Sequence, residues 1–430
     1  MARGQVIKFF NLLLFVILSG LLCGTVYAGK SKASSKAGPN LLVITFDTTR
    51  ADRLGCYGYD HVRTPAIDRL ASEGVLFTQA YAQSPQTLPS HCSLFTGLYT
   101  ITHNVLSNGQ ELSEEAVTLA EILEARGYQT GAIVATAPLY KDFNLDQGFD
   151  TYNDDFKQRP PDRVFKAFLK FITVKKVNMR ATRPANRVAV LAKKWLKKAG
   201  KKDKPFFLWI HFIDPHWPYR YRPNFDKPKS FSEEGELNRY GQKELNYINE
   251  IEFADYHLGN VLEKMDKLGL TENTLTIFTA DHGESLGEHD YRGHRQEVYN
   301  NIIHVPLILR FPGRIPGGKR LDAPAMLIDV VPTILNQLRI PHSPTTFQGE
   351  DLFDIPEDRA RKIYSLAVKL FTKTPVRKAI VYGDKKYIEH EDMTKHALYN
   401  LAKDPGELKN LLEAEPSDRQ ALNWEAEIRG

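Results

Sequence analysis

Short runs rich in β-branched and aromatic residues alternate along this chain with segments of helical period, and that alternation restricts the fold more than any other feature. The strand-like runs are Leu41–Phe46, Val75–Tyr81, Gly131–Ala135, Phe206–Phe212, Leu275–Thr279 and His304–Phe311. Between them, apolar residues recur at helical spacing over Thr64–Glu73, Pro89–Leu98, Thr118–Ala125, Asn186–Lys198 and Leu245–Leu268. The pattern predicts an α/β fold, a mostly parallel central sheet flanked by helices, because parallel strands need a crossover element between them. With 430 residues, 42% of them hydrophobic and 25% charged, the chain can bury one large core. The main domain is expected over 40–339. A small C-terminal α+β subdomain is expected over 340–430, after a Pro/Ser/Thr-containing loop.

In such sheets ligands bind beyond the carboxyl ends of the strands. The first run leads into Asp47-Thr48-Thr49-Arg50, and Leu275–Thr279 leads into Ala280-Asp281-His282-Gly283-Glu284. Phe206–Phe212 is followed by Asp214-Pro215-His216-Trp217-Pro218. Carboxylates and imidazoles gathered at one sheet edge make a divalent-metal site.

Residues 1–28 read as a signal peptide: Arg3 and Lys8, then the apolar Phe9–Val26, then the small-residue site ending at Ala28. The run is also near the length of an uncleaved anchor. The protein is therefore expected to be exported, periplasmic or secreted or anchored at its N-terminus, with 29–39 as a linker. Cys56 and Cys92 are expected as unpaired thiols. From Lys157 to Lys204 the chain carries a local charge of +15 against +5 overall, so the remainder is acidic. Within that segment Arg163–Ile172 has apolar and basic residues on opposite helical faces, a pattern suited to peripheral contact with an anionic membrane. Nothing in the composition calls for nucleic acid.

Thr87-Leu88-Pro89-Ser90-His91 places Thr87 just before a helix start, where free N–H groups face an anion. Alone, such a Thr is a capping residue. Longer stretches change that reading: ITFDTTRADRLGCYGYDHVRTPAIDRLASEGVLFTQAYAQ at 44–83, TLPSHCSLFTGLYTITHNV at 87–105 and FTADHGESLGEHDYRGHRQEVYNNIIHVPLILRFPG at 278–313 resemble the sulfatase family. Weaker echoes run to 411, so the resemblance covers nearly all of 40–411. It implies an alkaline-phosphatase-like fold, a metal held by Asp47, Thr87, Asp281 and His282, and a nucleophile at Thr87. His91 stands in the signature, and His216 and His294 match positions that contact the substrate or its leaving group.

Several positions depart from the pattern. Sulfatases carry Cys or Ser where Thr87 stands, oxidised to formylglycine, and Thr cannot follow that route. His91 replaces the signature Arg, Thr48 replaces a second Asp, and Ala135–Leu139 occupies the place of the usual Lys/His block. A Thr in Thr-x-Pro-x-His resembles the phosphodiesterase branch of the superfamily. The expectation is one divalent metal, zinc or manganese before calcium or magnesium because imidazole suits the former. The expected activity is hydrolysis of an anionic phosphate mono- or diester, small or polymeric, through phospho-Thr87. Alternatives are a sulfuric ester hydrolase, a phosphoethanolamine- or phosphoglycerol-type transferase on envelope polymers, and a non-enzymatic metal binder. The charged residues Glu284, Glu288, His289 and Asp290 are expected in a solvated loop, and His103 in a structural role.

Overall fold

The structure is a computed structural model that describes residues 38–155, 182–220, 234–343, 345–369, 375–390, 396–413 and Trp424. The export segment at 1–28 and the amphipathic pattern at Arg163–Ile172 lie outside the described residues.

The strands of the main domain are β1 (Asn40–Phe46), β2 (Val75–Phe77), β3 (Ala80–Tyr81), β4 (Gln129–Ile133), β5 (Thr151–Asn153), β6 (Phe206–Phe212), β7 (Thr274–Ala280), β8 (Leu307–Arg310), β9 (Lys319–Leu321) and β10 (Ala325–Met326). Eight of them form one sheet in the order β5-β4-β6-β1-β7-β8-β2-β9. From β5 through β7 the pairing is parallel, and β8 alone runs antiparallel to both of its neighbours, β7 and β2.

Every residue of β1, β6 and β7 is buried, as expected of strands covered on both faces. Alternate residues feed two separate cores. Leu41, Val43, Phe207, Trp209, Leu275 and Ile277 enter one, and Leu42, Ile44, Phe46, Leu208, Ile210 and Phe278 enter the other. Each such large side chain contributes about 1.5–3 kcal/mol of burial free energy. This two-sided burial fixes the register, so the ends of β1, β6 and β7 lie side by side: Phe46 pairs with both Phe212 and Ala280. The residues that follow these strands are thereby delivered to one edge.

The helices Pro65–Ser72 and Ala185–Ala199 correspond closely to the expected segments. The run Val75–Tyr81 is not one strand. It breaks after Phe77, and Ala80–Tyr81 pairs instead with Ala325–Met326. His304–Phe311 shortens to β8 because Asn300–Ile303 forms a helical turn that claims the His304 amide. The C-terminal strands β11 (Ile363–Val368), β12 (Pro375–Tyr382), β13 (Lys385–His390) and β14 (His396–Asn400) form a small antiparallel sheet. It is fastened to the main domain by Arg361, whose guanidinium meets the buried Asp329 carboxylate at 2.6 and 2.7 Å. Cys56 and Cys92 are both free.

Candidate active site

Asp47 follows β1 directly, and Asp281 and His282 follow β7, so the paired register brings their ligand atoms within 4.8 Å of one another. All three side chains are fully buried. Thr48 adopts φ 53°, a costly conformation for a β-branched residue, and donates its N–H to Asp281 Oδ1 at 3.2 Å. The strain turns the chain sharply after Asp47. Tyr247 secures the turn by donating its hydroxyl to the Thr48 carbonyl at 2.7 Å.

Both carboxylate oxygens of Asp47, Oδ2 of Asp281 and Nε2 of His282 are buried and make no hydrogen bond within the described residues. Buried polar atoms without partners are costly, and their convergence here is what a bound cation would satisfy. His282 Nδ1 lies 2.9 Å from the Gly283 carbonyl and must donate to it, which leaves Nε2 as a lone-pair donor for a metal. The electrostatics agree. Burial would raise the Asp47 carboxyl, but the His211, His216 and His282 imidazoles draw it down to about 2. Burial and the Asp47 charge push the Asp281 carboxyl well above its ordinary range. Burial holds His282 down to about 4, so it is neutral and able to ligate. The residues therefore fit a divalent metal.

Thr87 is the first residue of the helix Thr87–Thr96, one position further in than its sequence suggested, with Gln86 in extended conformation as its cap. The Ser90 hydroxyl in that first turn donates to the Asp281 carbonyl at 2.6 Å, which ties the Thr87 helix to the end of β7. His91 stands beside the site, with Nδ1 3.8 Å from Asp281 Oδ2. It is fully buried behind Thr87, with Nδ1 against the Thr87 carbonyl at 2.7 Å and Nε2 near Thr45 Oγ1 at 3.2 Å. Burial lowers it to about 3, which makes it a neutral support for the helix.

His294 stacks on His282 with ring centroids 4.2 Å apart, and its Nε2 is 3.4 Å from His216 Nε2. His294 Nδ1 faces the Pro85 carbonyl at 2.8 Å and His216 Nδ1 faces the Trp217 carbonyl at 2.6 Å, so both Nδ1 atoms carry protons. A hydrogen bond between the two Nε2 atoms then needs one further proton on the pair. Beside it opens a cavity of about 430 Å³ lined by Trp217, Tyr219, Lys243, Tyr291, Arg292 and Arg295, among others.

Sequence reasoning misplaced Glu284, which is buried rather than solvated, and burial with the Asp47 charge pushes it up to about 8. Glu288 pairs with Arg50 at 2.6 Å. His103 is buried against Ser93 Oγ at 3.0 Å, in a structural setting. His211 was missed altogether. It lies inside the apolar run of β6, yet its Nε2 is 3.5 Å from Asp47 Oδ2. The only signal was a histidine interrupting a buried strand.

A doubly covered, mostly parallel sheet with an Asp/Asp/His cluster at its carboxyl edge, tied to the first turn of the Thr87 helix, is the arrangement of an ester hydrolase of the alkaline-phosphatase-like class. The sulfatase family profile matches residues 39–340, and the chain belongs to that family. A profile described as N-sulphoglucosamine sulphohydrolase, C-terminal, matches 287–428. The chain is 29% identical to an ulvan-active sulfatase of Formosa agariphila over 74% of this chain and 65% of the relative, so it spans about two thirds of that protein's length. It is 26% identical to the uncharacterized sulfatase YidJ of Escherichia coli over 87% of this chain and 83% of that one. It is also 26% identical to rat steryl-sulfatase over 69% of this chain and 66% of the relative. Among solved structures, BT4656 in complex with D-glucosamine-2-N,6-O-disulfate superposes with a TM-score of 0.72 at 19% identity, covering 89% and 95% of the two chains. The phosphonate monoester hydrolase of Agrobacterium radiobacter superposes with a TM-score of 0.70 at 23% identity, covering 91% and 94%. These likenesses establish the fold.

The relatives correct one expectation. Phosphate ester hydrolysis was inferred from Thr87 in Thr-x-Pro-x-His and from the other departures from the sulfatase pattern, whereas the matched relatives are sulfatases, including ulvan-active and steryl-sulfatases. A few departing side chains are a weaker guide to the ester than the family of the whole chain.

Proposed function

We propose that the chain hydrolyses sulfuric esters of an anionic, sulfated carbohydrate, using one divalent metal. The observation that carries this reading is the convergence of unpartnered Asp47, Asp281 and His282 atoms at the start of the Thr87 helix, in a chain of the sulfatase family. The imidazole in the set favours zinc or manganese over calcium. When bound, the metal would polarise the sulfate oxygens and lower the pKa of the attacking hydroxyl.

Since Thr cannot become formylglycine, the hydroxyl itself is the nucleophile. Thr87 Oγ1 attacks sulfur as its proton passes to water, and the ester S–O bond breaks. The leaving alkoxide takes the proton held by the His216–His294 pair. Water then attacks the sulfur of the Thr87 sulfate, releasing inorganic sulfate and restoring the hydroxyl. Trp217, Tyr219 and Tyr291 give the cavity aromatic surface for a sugar ring, and Lys243, Arg292 and Arg295 oppose an anionic substrate. Export to the periplasm or beyond, proposed from residues 1–28, fits a polymeric substrate outside the cell. The basic stretch of 157–204 would add a peripheral membrane contact.

The test is release of inorganic sulfate from aryl sulfate and from sulfated mono- and oligosaccharides, before and after chelation and again on zinc or manganese re-addition. Metal-restored sulfate release supports the reading. Turnover of aryl phosphate with no sulfate released from any ester would overturn it.

A further inference from the structure

The cavity beside the His216–His294 pair is lined by three cations, Lys243, Arg292 and Arg295, and by one acidic residue, Glu284, whose carboxylate oxygens are buried. Within the described residues none of the three cations makes an ion pair or a side-chain hydrogen bond. Lys243 and Arg292 are exposed, and water satisfies them. Arg295 is half-buried. Burial lowers its guanidinium from the ordinary arginine value, and Tyr291, Glu284 and Asp47 offset that only in part. A cation taken partly out of water without a partner is costly, and the buried arginines Arg50 and Arg361 each hold a carboxylate. Arg295 follows His294, and its carbonyl lies 3.5 Å from Nε2 of Gln86, the residue before Thr87. It therefore flanks the site where the leaving group departs. The ester group under attack is met elsewhere, by the Asp47, Asp281 and His282 cluster and the first turn of the Thr87 helix, and none of these residues borders the cavity. A cation in the cavity faces a different part of the substrate. Trp217, 59% exposed, borders the same space and offers a flat face to a sugar ring.

We infer that Arg295 recognises a second anionic group, a carboxylate or a further sulfate, on the saccharide that carries the ester, so that the preferred substrate is at least doubly charged. A guanidinium takes either group through two parallel hydrogen bonds, and the anion supplies the partner that Arg295 lacks. Arg295 is thus a specificity-determining residue that acts on the leaving group and not on the bond that breaks. This inference rests on the reading of the site as one for a sulfated saccharide.

Sulfate release by the full, metal-loaded chain is measured on a glucoside with one sulfate, the same glucoside with two, and a sulfated glucuronide. In the wild type kcat/KM should be about tenfold or more higher for the two doubly charged esters, chiefly through KM. Arg295→Ala should remove most of that ratio, and Arg295→Lys, which keeps the charge without the fork, should restore part of it. The disulfate and the glucuronide separate sulfate from carboxylate as the second group. Equal kcat/KM on all three esters in the wild type, or a loss of the same size on all three in Arg295→Ala, would overturn the inference. A second readout is independent of turnover. By ligand-observed NMR, methyl glucuronide should bind about tenfold more tightly than methyl glucoside and lose that advantage in Arg295→Ala. Equal binding of the two contradicts the inference. Tighter binding of the glucuronide with no sulfate released from any ester would uphold Arg295 as an anion reader and count against the proposed reaction instead.

Discussion

The Ser90 hydroxyl donates to the Asp281 main-chain carbonyl at 2.6 Å, so the first turn of the Thr87 helix and the strand end bearing Asp281 and His282 are held as one piece. Ser90→Ala should cost about 1 kcal/mol of stability in urea unfolding. It should lower kcat about tenfold or more while KM changes less, because a small misplacement of a nucleophile is felt in the transition state. An unchanged kcat would reduce this bond to a purely structural one.

Thr87 carries the chemistry in this account. Thr87→Ala should lose about a thousandfold or more in kcat, and Thr87→Ser should retain measurable turnover because the hydroxyl survives. Mass spectrometry of rapidly quenched enzyme should find sulfate on Thr87. Near-normal turnover by the Ala variant would contradict covalent catalysis.

His103 gives a prediction in pH. The Val105 N–H donates to its Nδ1 at 3.2 Å and its Nε2 faces Ser93 Oγ at 3.0 Å, so the neutral ring is satisfied and a second ring proton would break the Val105 bond. Burial lowers its pKa from 6.5 to about 4. Above pH 6.5 both folded and unfolded states are neutral and the contribution is fully present. Between 6.5 and about 4 the unfolded state takes the proton first, so stability is lost as pH falls, by about 3 kcal/mol in all. His103→Gln should flatten that part of the stability–pH curve in denaturant titrations. A curve parallel to wild type would exclude His103 as a cause of acid lability.

How much of this was legible in the sequence depended on what each residue's neighbours decide. Phe206–Phe212 was readable to the residue because a strand buried on both faces must be apolar throughout. Asp47, Asp281 and His282 were placed at one sheet edge by the strand pattern and singled out as a group by the resemblance to the sulfatase family. The break after Phe77 was not, since Ala80 and Tyr81 are as strand-like as Val75, and only pairing with Ala325 and Met326 separates them. The antiparallel course of β8 was also hidden, because strand direction leaves no mark in composition. Glu284 looked like a loop charge and His211 like a core residue. Their environments come from segments far away in the chain.

A buried ion pair ties the chain just before the C-terminal sheet to the main domain. Arg361 meets both oxygens of Asp329, which also accept the Met326 and Glu350 N–H groups. Arg361→Ala would leave that carboxylate buried and uncompensated, at a cost of about 3–5 kcal/mol by thermal or chemical unfolding. The double variant Arg361→Met, Asp329→Asn should recover part of the loss. A loss below about 1 kcal/mol for Arg361→Ala would mean that water reaches Asp329.

The central claim is cleavage of a sulfate ester by attack at sulfur, and the most direct measurement is hydrolysis of a sulfated saccharide in heavy-oxygen water with the metal-loaded enzyme. Attack at sulfur followed by hydrolysis of the Thr87 sulfate puts the heavy oxygen into inorganic sulfate and none into the sugar alcohol. Heavy oxygen in the alcohol, or no sulfate release from any sulfate ester tried, would contradict the account.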